Sequence, residues 1–240
     1  MYVEAQGSEF AEKLLGYLQQ VDYRVAESNV DREKVYRLRY QAYLEEGAID
    51  QNPSKMFHDD YDNFENCWIF GIYIDDKLVS SIRCHAISPE FPKGPAIDVF
   101  PDIVGPMVHE QGLTVVDPTR FVADPDAARE FPELPYLTLR VACMTYDYFD
   151  AEYCLATVRK EHASFYRRVF RAEMLCEPRP YPTLKAPICL MKTNVAAFRS
   201  KLLRRYPIFE SSFTERRMLF DLKHQENLRQ LDNPVTKLVG

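Results

Sequence analysis

Apolar residues recur along this chain in two alternating rhythms, and together they predict an α/β domain. Phe10, Leu14, Leu15 and Leu18 fall at helical spacing over residues 8–20. Tyr23 to Ala26 reads as a short strand. Ser28 or Asn29 can cap a helix over 31–44 whose apolar face holds Val35, Leu38 and Ala42, widened by Tyr36, Tyr40 and Tyr43. Trp68 to Ile74 and Leu78 to His85 are β-type runs joined by Asp75-Asp76-Lys77, a hairpin signal. Further strands are expected at Thr114–Val122, Tyr153–Val158, Ala172–Cys176 and Pro187–Lys192. Helices are expected at Leu134–Phe149, at Glu161–Phe170 and from an Asn194 cap to about Tyr206. The pattern predicts a helical segment over 1–22, one domain over 23–212, and a tail over 213–240 that ends as a helix or frays. The domain should be a mixed sheet flanked by helices, with a long helix directly after a central strand.

Charged residues interrupt this pattern at informative places. Arg39 sits in the apolar face of its helix, where an arginine either reaches a carboxylate or snorkels to solvent. Arg83 lies inside a β run. In Leu113–Val122 the apolar run is broken by Asp117, Pro118 and Arg120. Proline lacks the N–H a central ladder needs, and buried charges need partners. Two resolutions are open from the stretch itself: a bulge at Asp117-Pro118 that releases pairing there and aims polar groups into a cleft, or a short strand that ends at Pro118 with Arg120 facing water. The charges elsewhere in the chain favour the bulge. Residues 45–66 form a polar segment with seven Asp/Glu and one Lys, and its Asp59-Asp60-Tyr61-Asp62 suits either a cation or hydrogen bonds from arginines. It lacks the glycine and terminal glutamate of an EF-hand, and no metal site is expected.

Composition narrows the classes. No apolar run is long enough for a membrane span, and the N-terminus lacks a signal-peptide pattern. Cysteines 67, 84, 143, 154, 176 and 189 are scattered without a C-x-x-C pair, as expected for reduced core thiols in a cytoplasmic protein. The net charge of −6 is uneven. Residues 159–217 hold 14 Lys/Arg against five Asp/Glu, a net of +9, so the rest of the chain carries −15. No nucleic-acid-binding motif accompanies that basic segment, so an acidic protein partner is favoured over nucleic acid.

In register, the segments around Arg39-Tyr40-Gln41-Ala42-Tyr43, Asp59-x-Tyr61-Asp62, Ser81-Ile82-Arg83, Gly94-Pro95 with Asp98-Val99-Phe100-Pro101, and Asp117-x-x-Arg120-Phe121 resemble the acyl-homoserine lactone synthases and the related N-acyl amino acid synthases. Both are acyltransferases of the GNAT fold. The resemblance covers residues 23–192 and implies a mostly antiparallel GNAT-like sheet. It implies an N-acyltransferase passing a fatty acyl group from a carrier thioester to an amine, with no permanently bound cofactor. Asp117 stands where the family usually has Glu. Ile49 stands where the lactone synthases place a Trp that shapes the S-adenosylmethionine pocket, so an amino acid acceptor is favoured over S-adenosylmethionine and quorum-sensing signal synthesis. A non-catalytic module binding acyl carriers or lipids is the remaining alternative.

The expected roles follow from that resemblance. Asp59, Asp62, Arg83, Asp117 and Arg120 are the candidate catalytic network, joined by Arg39. Tyr43, Tyr61, Thr119 and Phe121 are candidate substrate contacts. Asp59 or Asp62, through a water, would take the proton of the acceptor ammonium. An apolar channel from 134–158 and 184–191 would hold the acyl chain. The segment opening the helix after the central strand, Asp124 to Pro132, has no glycine-rich run to cradle a pyrophosphate. That disfavours coenzyme A and favours acyl carrier protein, docking on Arg159, Lys160, Arg167, Arg168, Arg171, Lys201, Arg204 and Arg205.

Overall fold

A computed structural model describes residues 2–181 and 183–232. Seven strands form one sheet in the order β1-β2-β3-β4-β5-β7-β6, where β1 is Val21–Val25, β2 Cys67–Ile74, β3 Lys77–Ile87, β4 Val115–Ala123, β5 Tyr153–Val158, β6 Glu173–Met174 and β7 Cys189–Asn194. All neighbours are antiparallel except β4 and β5. The helices, in chain order, are α1 Tyr2–Tyr17, α2 Asn29–Glu45, α3 Pro95–Val99, α4 Pro101–Gly105, α5 Pro125–Glu130, α6 Leu134–Tyr148, α7 Ala163–Phe170, α8 Val195–Arg205 and α9 Phe213–Asp232. The predicted mixed, mostly antiparallel sheet with flanking helices is therefore the observed architecture.

Local chemistry explains the main boundaries. Ser28 Oγ accepts from Asp31 N at 3.1 Å and starts α2. Asn194 Oδ1 accepts from Ala197 N at 2.9 Å and starts α8. In the β2–β3 turn, Asp75 and Asp76 both take positive φ, 49° and 61°, the twist that suits a tight hairpin.

The sheet separates two chemistries through the two-residue period of its strands. Phe70, Ile72, Ile82, Cys84 and Val116 pack on one side against Leu137, Val141 and Met144 of α6. Leu14 of α1 and Phe220 of α9 enter this same core, each fully buried, so both terminal helices pack on the domain. Burying Phe220 alone stabilises the fold by roughly 2–3 kcal/mol. On the other side Ile87, Val115, Leu155 and Leu190 pack with Phe100 and Val104. Arg83, His85, Asp117 and Thr119, also buried, fall at strand positions of that second side.

β4 is continuous through Asp117 and Pro118, which pair with His85 and Cys84 of β3. The expected bulge is not there. It lies two residues on, where the register shifts between Ser81 and Arg83 and Arg120 adopts φ 53°. Proline is tolerated because its other edge is unpartnered: β4 and β5 pair only at Val115–Tyr153 and Val116–Cys154, and then diverge. The sheet thus splays at Asp117-Pro118 without a break in β4.

Candidate active site

Five charged side chains from four distant segments meet on the second face. Arg39 of α2 donates through Nη1 to both oxygens of Asp62, at 2.8 and 3.0 Å. Arg83 of β3 pairs with Asp59 and, at 3.1 Å, with Asp62. Its Nε donates to Thr119 Oγ1 at 2.9 Å. Arg120 of β4 donates to Asp59 Oδ2 at 2.5 Å and to Thr183 Oγ1 at 2.8 Å. Asp59 and Asp62 are presented by a short 3₁₀ turn over Asp60–Asn63, which Asp62 caps by accepting from Asp59 N at 3.1 Å. The acidic segment therefore serves the arginines rather than a cation.

The network is almost dry: Arg39 and Arg83 are fully buried and Asp62 is 1% exposed. Burial pushes the Asp62 carboxyl up, but Arg39 and Arg83 outweigh it and hold the group well below the usual carboxylate range. Arg83 and Arg120 do the same to Asp59 against its burial. Three guanidinium groups against two carboxylates leave one net positive charge. Arg120 carries its share in an aromatic box, 4.5 Å from the Phe57 ring centre, 5.7 Å from Tyr43 and 5.6 Å from Tyr181. Its Nε is buried with no partner among the described residues.

Asp117 does not join this network. Its Oδ2 accepts from Ala96 N at 3.0 Å and its Oδ1 from Thr157 Oγ1 at 3.2 Å. Those neutral donors do not offset burial, which raises its pKa to about 6. The physical reason is position along β4: Asp117 and Thr119 share a face, but Asp59 pairs with Arg83 and Arg120 at the Thr119 level, while Ala96 of α3 donates to Asp117. His85, opposite Asp117, sits near the Tyr61 carbonyl with Nε2 at 3.0 Å. Burial and then Arg83 push it down to about 3, so it is neutral.

A 420 Å³ cavity runs along β4 where β5 departs from it. Tyr43, Thr119, Arg120 and Phe121 line it, with Thr157, Leu184 and Glu46. The sheet's opposite layer holds a narrow apolar crevice of about 30 Å³, walled by Leu139, Ala142, Cys143, Tyr146, Leu155 and Phe198 among others. Pro118 and Tyr166 border both spaces. Tyr61 lies outside the cavity lining and instead stands 5.7 Å from the Arg83 guanidinium. Sequence reasoning missed Phe57, Tyr181, Thr183 and Glu46. A polar segment and a proline-rich turn gave no periodicity from which their convergence on β4 could be read.

The basic segment divides in two. Arg159, expected to be a free docking cation, is paired with Glu46 at 2.9 Å and Glu161 at 3.2 Å and lines the cavity. Lys160, Arg167, Arg168, Arg171, Lys201, Arg204 and Arg205 form no ion pair among the described residues. All seven are exposed. The helix α7 and the residue before it join the two regions: His162, Phe165 and Tyr166 border the cavity, while Arg167 and Arg168 face solvent. All six cysteines are free thiols, and burial raises those at 84 and 143 beyond ordinary reactivity. Among the described residues, no helix is long and apolar enough to cross a membrane.

No curated protein matches the sequence closely enough to count as a relative. Among solved structures, an N-acyl amino acid synthase from uncultured soil microbes superposes with a TM-score of 0.60 at 16% identity, over 78% of this chain and 97% of that one. A CoA-dependent acyl-homoserine lactone synthase, MesI, gives 0.55 at 18% identity over 80% and 97%. Another CoA-dependent synthase of that kind, BjaI, gives 0.56 at 14% identity over 79% and 89%. These similarities show the fold. The sequence profile of the N-acyl amino acid synthase FeeM matches residues 34–194, well over half of the chain and all of the charged network. The chain is an N-acyltransferase and belongs to the N-acyl amino acid synthase FeeM family.

Proposed function

We propose that the protein moves a long-chain fatty acyl group from an acyl carrier protein thioester to the amine of an amino acid. One observation carries this reading. The cavity beside Arg120 opens along β4 where it loses its β5 partner, with Pro118 and Tyr166 as the wall between it and the apolar crevice. A thioester placed there has its acyl chain along the apolar wall of the 420 Å³ cavity, at Phe121, Phe165, Leu184 and Ile188, and its carbonyl against an unpaired strand edge. A main-chain N–H of that edge would stabilise the oxygen as charge develops on it. Such a donor lowers a barrier by about 3–4 kcal/mol. Arg120, fixed by Asp59 and Thr183 and with a spare Nε donor, suits the carboxylate of an amino acid acceptor. Ile49 is buried among Tyr40 and Phe57, an aliphatic plug in keeping with an acceptor other than S-adenosylmethionine.

The choice of a carrier protein over coenzyme A rests on charge. The helices that follow β4 begin at acids: Asp124 Oδ1 accepts from Ala127 N at 3.0 Å, and Glu133 flanks α6. A pyrophosphate would meet carboxylates where it needs free N–H donors. The unpaired cations on α7 and α8 instead suit an acidic carrier surface. The test is a purified reaction with acyl carrier thioester or acyl-CoA as donor and a panel of amino acids, read by mass spectrometry. The expected product is an N-acyl amino acid, formed faster from the carrier. Equal rates from acyl-CoA would overturn the donor assignment, and amide formation with S-adenosylmethionine alone would overturn the acceptor.

A further inference from the structure

The cavity beside Arg120 is bordered by one carboxylate, and it belongs to none of the acids in the network. Asp59 and Asp62 do not line it, and their oxygens are engaged by Arg39, Arg83 and Arg120. Asp117 turns to Ala96 N and Thr157. Glu46, the residue that closes α2, does line it. The other ionisable groups on the charged part of that wall are Arg120, Arg159 and His162. An acceptor that enters as an ammonium is repelled by both guanidinium groups. It also has to shed a proton before its nitrogen can attack, and a carboxylate locked between two arginines is a poor acceptor for it.

We propose that Glu46 binds the amino group of the acceptor and takes the proton it must lose, resting on the N-acyltransferase reading of this cavity. Glu46 Oε2 accepts from Arg159 Nη2 at 2.9 Å, which fixes the side chain against the wall. The same Arg159 nitrogen lies 3.0 Å from His162 Nε2. Oε1 has no hydrogen bond among the described residues and is free for an ammonium N–H. The carboxylate takes one proton from the ammonium. The nitrogen lone pair then forms the C–N bond to the thioester carbon, the C–S bond breaks, and the departing thiolate takes a second proton from nitrogen. Glu46 is half-exposed and returns its proton to water at the cavity mouth. Arg120 holding the carboxylate and Glu46 the amine give a two-point grip on an α-amino acid.

The experiment is steady-state kinetics of Glu46→Ala and Glu46→Gln with the amine and the acyl carrier varied in turn, with and without added formate. Loss of a general base lowers kcat/KM for the amine by about a hundredfold. The expected result is that loss in both variants, an unchanged KM for the donor, and partial recovery of Glu46→Ala by formate. Near-native rates in both variants would overturn the assignment. So would a loss that formate does not restore and that falls equally on the donor, since that marks a merely structural role. A wild-type protein that made no amide from any amine would instead overturn the functional reading beneath it.

Discussion

Replacing Asp59 by Asn tests whether the five-residue network is held by charge in a dry environment. Asp59 is the shared partner of Arg83 and Arg120, whose side chains are 0% and 2% exposed, and is itself 9% exposed. The substitution keeps shape and removes one negative charge, so the buried balance moves from one net positive charge to two. Arg83 retains Asp62 and Thr119, and Arg120 retains Thr183 and its three rings. Breaking a buried pair while leaving its partner charged costs roughly 3–5 kcal/mol. Arg120→Met goes the other way, since it leaves two arginines facing two carboxylates. Its cost should be smaller, about 1–2 kcal/mol from lost hydrogen bonds and packing, although it removes the proposed carboxylate anchor. Urea unfolding followed by circular dichroism measures both. A loss below about 1 kcal/mol in Asp59→Asn, with an unchanged denaturant slope, would refute the buried-network argument.

Other outcomes follow from the same geometry. Asp117 has a folded-state pKa raised to about 6, so its contribution to stability is present below the unfolded value near 4 and lost as pH rises through 6. Asp117→Asn should therefore be more stable than wild type at pH 8, by up to about 3 kcal/mol, with the difference shrinking below pH 5, as read by thermal or urea unfolding. Asp59 and Asp62 act in the opposite sense: their lowered pKa values add stability above pH 4 that disappears on acidification. Reversing Arg167 and Arg168 to Glu should raise the KM for acyl carrier about tenfold, and raised salt should weaken wild-type turnover in the same way.

The readable part of the fold was the part governed by local rules. Ser28 and Asn194 announce their helices because a side-chain oxygen before an apolar repeat has one common use. The Asp75-Asp76 hairpin is equally local. Arg39, Arg83 and Arg120 stood out because charge inside an apolar rhythm demands a partner, and their partners Asp59 and Asp62 fall in the chain's most acidic segment. What could not be read was tertiary. The bulge sits at Arg120, where no glycine marks it, because the side-chain pairing with Asp59 and the aromatic box support a positive φ that arginine alone disfavours. The family resemblance groups Asp117 with the other acids, yet Ala96, from a proline-rich excursion without periodicity, claims its carboxylate. Glu46 and Thr183 come from similarly patternless stretches, so only the folded chain brings them to the cavity.

The seam between β4 and β5 has a mechanical meaning of its own. Two backbone pairings join a four-strand ribbon, β1 to β4, to a three-strand ribbon, β5 to β7. Cooperative hydrogen bonding is thus interrupted in the middle of the sheet, and α6, packed against β3, β4 and β5, acts as the splint across the gap. Amide deuterium uptake should therefore divide the sheet into two units that open separately, with the first protected longer than the second.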